Sequence, residues 1–340
     1  MSIAFVTGAT GFIGGRLVRA LEDGGRFDRI HCLVRNPAQS GLMASGKIRV
    51  FRGDVTDPVS LRPAMESCGA AFHLAAWYEL GIPRSAIPRM EAINIDGTRN
   101  VLTLARELEI PRTVYVSTAY AIGATGDQTA DETFEHRGRF TCEYERTKLE
   151  AHRVAQRLAR DGLPLVTVLP GAVYGEGDPS LIGDTFSRLA RGTFPALIAG
   201  SEESALTYVH VDDVVRGILL ALEKGRLGES YILAGEVMRF GEMVRCITDL
   251  AASKPPRLTV PLWLARGMAF LDERFSRLRG RKPLISRESL ASLLCSFAVS
   301  SEKAREELGF RPRPNREGFA QTLRWIKETV QTASGPSSPA

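Results

Sequence analysis

Cysteine is scarce and unpatterned in this chain. Cys32, Cys68, Cys142, Cys246 and Cys295 are odd in number and scattered, with no CxxC pair and no metal-like spacing. A disulfide scaffold is thereby excluded, and a reducing, cytoplasmic setting is expected. Long apolar runs are also missing. The longest, LTVPLWLARGMAFL (258–271), is too short to span a bilayer and carries Arg266. No integral membrane segment is expected; a buried or pocket-lining helix is, with peripheral membrane contact as the lesser alternative. The net charge of +5 comes without a run of five or more basic residues, the densest stretch being RFSRLRGRK (274–282). Nucleic-acid binding is therefore not expected, and a solvated face or contact with an anionic cofactor accounts for the excess. The opening MSIAFVTGATGFIGG lacks a basic n-region and a cleavage site, so no signal peptide is expected.

What is present is a globular composition, 44% hydrophobic and 24% charged. The last ten residues, QTASGPSSPA (331–340), are the exception and read as a disordered tail. Short apolar runs alternate with amphipathic stretches. IAFVT (3–7), RIHCLV (29–34), KIRVF (47–51), AAFHLA (70–75), RTVYVS (112–117) and LPLVTVL (163–169) read as buried strands. FIGGRLVRALED, SLRPAMESC and INIDGTRNVLTLARELEI read as the helices between them. The alternation predicts an α/β fold, a Rossmann-type doubly wound parallel sheet over residues 1–170. After residue 170 the strands become fewer and the loops richer in Gly and Pro. A smaller α+β substrate-binding portion is expected over 171–330, with the chain returning to the main sheet around 205–235. The last element, NREGFAQTLRWIKETV, has the apolar spacing of a helix.

The strand IAFVT runs straight into GATGFIGG and then into a helix, the context of a dinucleotide phosphate site. Gly8 permits the tight turn, Gly11 lets the backbone approach a pyrophosphate, and Gly14 allows helix and strand to pack closely. Free N–H groups at the helix N-terminus then face the phosphates. The second strand ends LVRNP, with Arg35 where an NAD site usually holds an acid. A guanidinium binds a 2′-phosphate that a carboxylate would repel. NADP(H) is expected and NAD(H) is the alternative, in which case Arg35 only caps the sheet edge.

TGATGFIG, Asp54 of RGDVTD, HLAA (73–76) and YERTK (144–148) together resemble the extended short-chain dehydrogenase/reductase family. VSTAYAIG (116–123), LPGAVYGEGD (169–178) and YVHVDDVV (208–215) are similar to its later signatures, so the likeness spans about residues 1–320. VRNP after the second strand and RKPLISRESL (281–290) point to the dihydroflavonol-reductase and 3β-hydroxysteroid-dehydrogenase-like branch. The resemblance implies that Tyr144 is the acid–base residue, and that Lys148 holds the nicotinamide ribose and lowers the phenol's pKa. It implies Thr118 as the hydroxyl that meets the substrate oxygen, with Ser117 its neighbouring candidate. Gly8, Thr10, Gly11, Phe12, Ile13 and Gly14 would surround the phosphates, and Asp54 and Val55 would meet the adenine. Leu74, Ala75 and Ala76 would line the cofactor's centre; Pro170, Gly171 and Val173 would line its nicotinamide end. A monomer or homodimer acting on a small molecule is implied.

The chemistry stands without the family. A phenol of pKa near 10 is a poor catalyst at neutral pH, and a nearby ammonium favours its phenolate. A hydroxyl at a strand end can orient a carbonyl and stabilise its developing charge. Reversible ketone–alcohol chemistry then needs no metal. A nucleotide-sugar epimerase or dehydratase is the first alternative. Sugar-nucleotide members place Arg-Asp where Leu206-Thr207 stand, and dehydratases place Asp-Glu where Ala119-Tyr120 stand. A non-catalytic dinucleotide sensor is the second; such proteins often lose the Tyr or Lys that this chain keeps.

His73 reads as a packed strand-end residue, and His210, Asp212 and Asp213 as a helix cap rather than a metal site. Asn94 is a candidate support for the active site through backbone hydrogen bonds. Trp77, Tyr78, Leu80, Phe134, Phe140, Trp263, Met268 and Phe270 form a candidate apolar pocket lining, or ordinary core.

Overall fold

A computed structural model describes residues 2–41, 46–279, 281 and 283–333. The first half alternates as the apolar pattern requires: β1 (Ile3–Thr7), α1 (Phe12–Asp23), β2 (Arg29–Val34), β3 (Ile48–Arg52), α2 (Pro58–Met65) and β4 (Ala70–His73). It continues through α3 (Ile87–Glu91), α4 (Gly97–Glu107), β5 (Thr113–Val116), α5 (Glu143–Arg160) and β6 (Leu165–Pro170). Then follow β7 (Ala172–Tyr174), α6 (Leu181–Ala190), β8 (Leu197–Ile198), β9 (Ala205–His210), α7 (Val211–Lys224) and β10 (Ser230–Leu233). The chain closes with β11 (Val237–Arg239), α8 (Phe240–Ala251), β12 (Thr259–Val260), α9 (Leu262–Leu278), α10 (Arg287–Leu293) and α11 (Asn315–Ala333).

Seven strands form one sheet in the order β10-β6-β5-β4-β1-β2-β3, and every pairing is parallel. It is a doubly wound, Rossmann-type sheet. Alternate residues serve opposite faces. Ala4, Val6, Phe72 and Val114 pack under α1 and α7, whereas Phe5, Ala71, Tyr115 and Leu165 pack under α2, α4 and α5. Burial on both faces explains why the strands read as continuous apolar runs. The strand order reverses between β1 and β4, so the loops after these strands diverge and leave a crevice at their carboxyl ends. A second sheet, β11-β9-β7, packs with α6, α8 and α11 around Tyr174, Phe186, Tyr208 and Phe319.

Three sequence expectations need correction. The stretch read as one helix from residue 93 opens with a π-helical turn, Ala92–Asp96, ahead of α4. α11 runs on to Ala333, so residues 331–333 are helical and not tail; residues 334–340 lie outside the described residues. The helix expected to be buried, α9, is not. Its small residues Ala265, Ala269 and Ser276 are buried, while Trp263, Met268 and Phe270 are exposed. Small side chains let the helix sit close on Ile198, Val260 and Leu290, and this turns the large ones outward. Among the described residues, no helix is long and apolar enough to cross a membrane.

Candidate active site

The loops after β1 and β4 meet in the crevice. Gly8 has φ +70°, and a Cβ there would lie 2.9 Å from Ala75 N; a Cβ on Gly14 would lie 2.0 Å from Gly8 O. Only glycine fits at either position. Gly11 is the N-cap of α1, with no side-chain cap and no acid in the first turn. The positive helix end, beside Thr10, Phe12 and Ile13, is therefore unclaimed by side chains, as a pyrophosphate site requires. Thr7, which the sequence reading passed over, organises the opposite wall. Its Oγ1 accepts from Leu74 N and Ala75 N, both at 3.1 Å, and lies 2.8 Å from His73 Nδ1. Thr98 Oγ1 donates to Asn94 O (2.7 Å) and stands 3.1 Å from His73 Nε2. This network assigns the proton to Nε2 and makes Nδ1 the acceptor for the Thr7 hydroxyl. Burial, and secondarily the Lys148 charge, pushes the His73 pKa down to about 3. His73 is thus a neutral strut between two threonines.

Past the carboxyl ends of β2 and β3 a cleft of about 370 Å³ is lined by Arg35, Arg52, Gly53, Asp54, Asp57 and Ser60. Arg52 is an addition to the sequence-predicted set; it ends β3 beside Arg35, just past the end of β2. Asp54 Oδ1 accepts from Thr56 N (3.0 Å) and Thr56 Oγ1 (2.9 Å), and Val55 O accepts from Asn100 Nδ2 (3.0 Å).

At the other end, Cys142 caps α5, its Sγ accepting from Glu145 N at 3.4 Å. Tyr144 and Lys148 follow, one turn apart on the buried face. Lys148 Nζ lies 3.3 Å from Tyr115 Oη and 3.3 Å from Val116 O, over the Tyr115 ring. That ring stacks on His73 at 5.6 Å. The Tyr144 ring stands edge-on to Tyr78 (4.8 Å) and Tyr120 (5.7 Å). Burial pushes the Tyr144 phenol well above its usual pKa; Tyr78 adds to this, and a hydrogen bond with the Thr118 side chain opposes it. The lowering expected from Lys148 does not prevail, because its ammonium is directed at Tyr115 and the Val116 carbonyl.

Ser117 and Thr118 follow the end of β5. Thr118 Oγ1 accepts from Tyr120 N (3.3 Å), whereas the buried Ser117 Oγ has no hydrogen-bond partner among the described residues. Gly171, between β6 and β7 with Pro170 and Val173 on either side, packs so tightly that a Cβ would lie 2.4 Å from Thr207 O.

Two supports frame this end. Asn94, held in the π turn, accepts from Trp77 N (2.7 Å) and donates to Trp77 O (3.1 Å) and Thr147 Oγ1 (3.0 Å). Glu145 is fully buried; its carboxylate accepts from Thr141 N (2.6 Å) and Thr141 Oγ1 (2.7 Å) and pairs with His136 Nε2 (3.0 Å). Sequence reasoning missed this clasp, although an acid in a helix's first turn is a signal for such a role. Of the apolar candidates, Trp77 and Leu80 pack against Tyr144, Cys142 and Met90, with Tyr120 beside them. Tyr78 and Phe140 are each 42% exposed. Phe134 packs instead on Ala119 and Ile122.

His210 caps α7, its Nδ1 accepting from Asp212 N (3.2 Å), while Asp213 accepts from Arg313 Nε (2.9 Å) and Arg216 (2.7 Å). The donor atoms of Glu176, His210 and Asp212 lie within 4.8 Å of one another. Arg16 stands 3.3 Å from Asp212 and 3.7 Å from Glu176, supplying the positive charge this cluster needs.

Glycines that a Cβ would block, an uncapped helix end and a polar cleft at the far end fit a nicotinamide dinucleotide laid across the crevice. The comparisons agree. A family model described as the NAD dependent epimerase/dehydratase family matches residues 4–234. The chain is 31% identical over 332 residues to a Synechocystis sp. protein provisionally named dihydroflavonol 4-reductase, covering 95% of this chain and 94% of that one. It is 32% identical over 335 residues to sterol demethylase protein B of Methylococcus capsulatus, covering 95% and 98%. The crystal structure of gox2253 superimposes with a TM-score of 0.80 at 34% identity, over 97% of this chain and 99% of that one. The chain therefore belongs to the NAD dependent epimerase/dehydratase family, the extended short-chain dehydrogenases/reductases, on the branch of dihydroflavonol-reductase- and 3β-hydroxysteroid-dehydrogenase-like members.

Proposed function

We propose that the chain is an NADP(H)-dependent oxidoreductase that interconverts a ketone and a secondary alcohol on a fairly apolar small molecule. The observation that carries this is the buried Tyr144 phenol beside Thr118, one helical turn from Lys148. A nicotinamide dinucleotide held in the crevice would supply or accept the hydride. Tyr144 Oη gives its proton to the carbonyl oxygen in reduction and takes it back in oxidation. The high phenol pKa leaves Tyr144 protonated before reduction. Thr118 Oγ1 orients the oxygen and stabilises its developing charge, with the unpartnered Ser117 Oγ as its neighbour. Lys148 is placed to hold the nicotinamide ribose.

Arg35 and Arg52, sharing one cleft, support a 2′-phosphate and hence NADP(H). Tyr78, Tyr120, Trp77 and Leu80 around Tyr144 support an apolar substrate, as does the sterol in one relative's name. The buried or part-buried free cysteines suit a cytoplasmic setting. Against a nucleotide-sugar substrate, Thr207 is engaged through its hydroxyl with the backbone of Val299 (2.8 and 3.2 Å), and no arginine replaces Leu206.

Binding titrations and a panel of steroid, flavonoid and aliphatic ketones test this. NADPH should bind at least about tenfold more tightly than NADH, a difference that Arg35→Ala removes. Tighter NADH binding would overturn the cofactor assignment, and turnover of UDP-sugars in place of ketones would overturn the reaction.

A further inference from the structure

The outward face of α9 has no use in the reaction proposed above. Ala265, Ala269 and Ser276 hold the helix to the protein, while Trp263 (74%), Phe270 (53%), Leu271 (52%), Phe275 (52%) and Leu278 (78%) are exposed. At 3.6 residues per turn these five fall across the half of the cylinder opposite the buried seam. An apolar patch this continuous on a protein surface marks a place of contact.

Charge selects the kind of contact. The acids of α9 are turned back into the fold: Asp272 accepts from Ile285 N (3.0 Å) and Ser276 Oγ (3.0 Å), and Glu273 binds Arg287 Nε (2.9 Å). Arg266, Arg274 and Arg279 are exposed and make no ion pair among the described residues. By the same spacing Arg274 falls among the apolar side chains and Arg266 at their margin, so the exposed charge on this face is positive. A second copy would set two groups of arginines against each other, which like-charge repulsion disfavours. An anionic bilayer surface accepts both features, since aromatic and leucine side chains enter the headgroup boundary while arginines reach its phosphates.

We propose that α9 is a peripheral docking element, lying flat on an anionic membrane surface. Its position gives the contact a direction. α9 packs on α10, where Glu288 accepts from Gly81 N (2.7 Å) and Ser292 Oγ lies 3.2 Å from Tyr120 Oη. α10 thus stands between α9 and the Tyr120 side of the crevice, and the docked face looks away from both. The docking does not depend on which substrate is turned over.

The full chain is sedimented with vesicles of phosphatidylcholine alone and with vesicles containing phosphatidylglycerol, at low and high salt. Binding should favour the anionic vesicles and weaken with salt. The combined Phe270→Glu and Leu278→Glu variant should bind at least about tenfold less tightly, with an unchanged melting temperature because both positions are exposed. Arg266→Gln with Arg274→Gln should remove the lipid preference. Failure to bind anionic vesicles, or binding that survives the Phe270→Glu and Leu278→Glu changes, overturns the proposal. So does light scattering that shows a dimer which those two changes convert to a monomer.

Discussion

His73 and His152 are deeply buried, with pKa values pushed down to about 3 and about 4, first by burial and then by the Lys148 charge. An unfolded imidazole takes up its proton as pH falls below about 6.5, but these two stay neutral in the fold. The unfolded state then binds more protons, so stability drops as pH falls, by up to about 2 kcal/mol for each histidine between pH 6.5 and 5. Urea unfolding across that window should show the slope; a flat profile would mean that the imidazoles find water or partners when charged. Tyr144 and Thr118 are expected to fail in different ways from Lys148. Tyr144→Phe should cut turnover by about 10²–10⁴ and leave cofactor affinity within a factor of about two. Lys148→Ala should weaken cofactor binding as well as turnover. Thr118→Val should lower kcat on the order of 10²-fold with little change in dinucleotide affinity. Fluorescence titration beside steady-state kinetics separates the three, and equal loss of affinity in all of them would contradict the division of labour.

The first turn of α5, which carries Tyr144, is anchored by the Glu145 carboxylate. Glu145→Ala would strand the Thr141 N–H and His136 Nε2 in a part-buried place and leave the Thr141 hydroxyl only Ser292 Oγ at 3.4 Å, a loss of about 2–4 kcal/mol. Urea denaturation should register that loss, and limited proteolysis should cut the 134–142 segment faster; unchanged stability would show that water replaces the carboxylate. Elements of this kind differ in how far the sequence discloses them. The central strands were legible because burial on both faces leaves an unbroken apolar run, and a helical turn let Tyr144 and Lys148 be placed on one face, although that spacing alone assigns them no role. The Glu145–His136 pairing was not, since its partner comes from an irregular loop that no period describes. Nor was the π turn, where Asn94 is drawn to Trp77, a contact settled by tertiary packing. Helix α9 misled for a simpler reason. Apolar content does not say which side faces in, and here the seam is made by its smallest residues.

Across the molecule, the reversal of strand order makes the crevice, and the glycines keep it open. Gly14→Ala would push a methyl into the Gly8 carbonyl and part α1 from β1. Both the melting temperature and dinucleotide affinity should fall, the latter by more than about tenfold; thermal melts with and without cofactor read the two together, and wild-type affinity would show that the turn tolerates the shift. The order of the sheet carries one more consequence. β10, which covers the edge of β6, comes 60 residues after it in the chain, behind β7, β9 and α7. As the polypeptide leaves the ribosome, β6 must wait with its hydrogen-bonding edge bare until residues 230–233 emerge. The last step of assembling the cofactor platform therefore falls late in synthesis, after most of the second sheet has already been made.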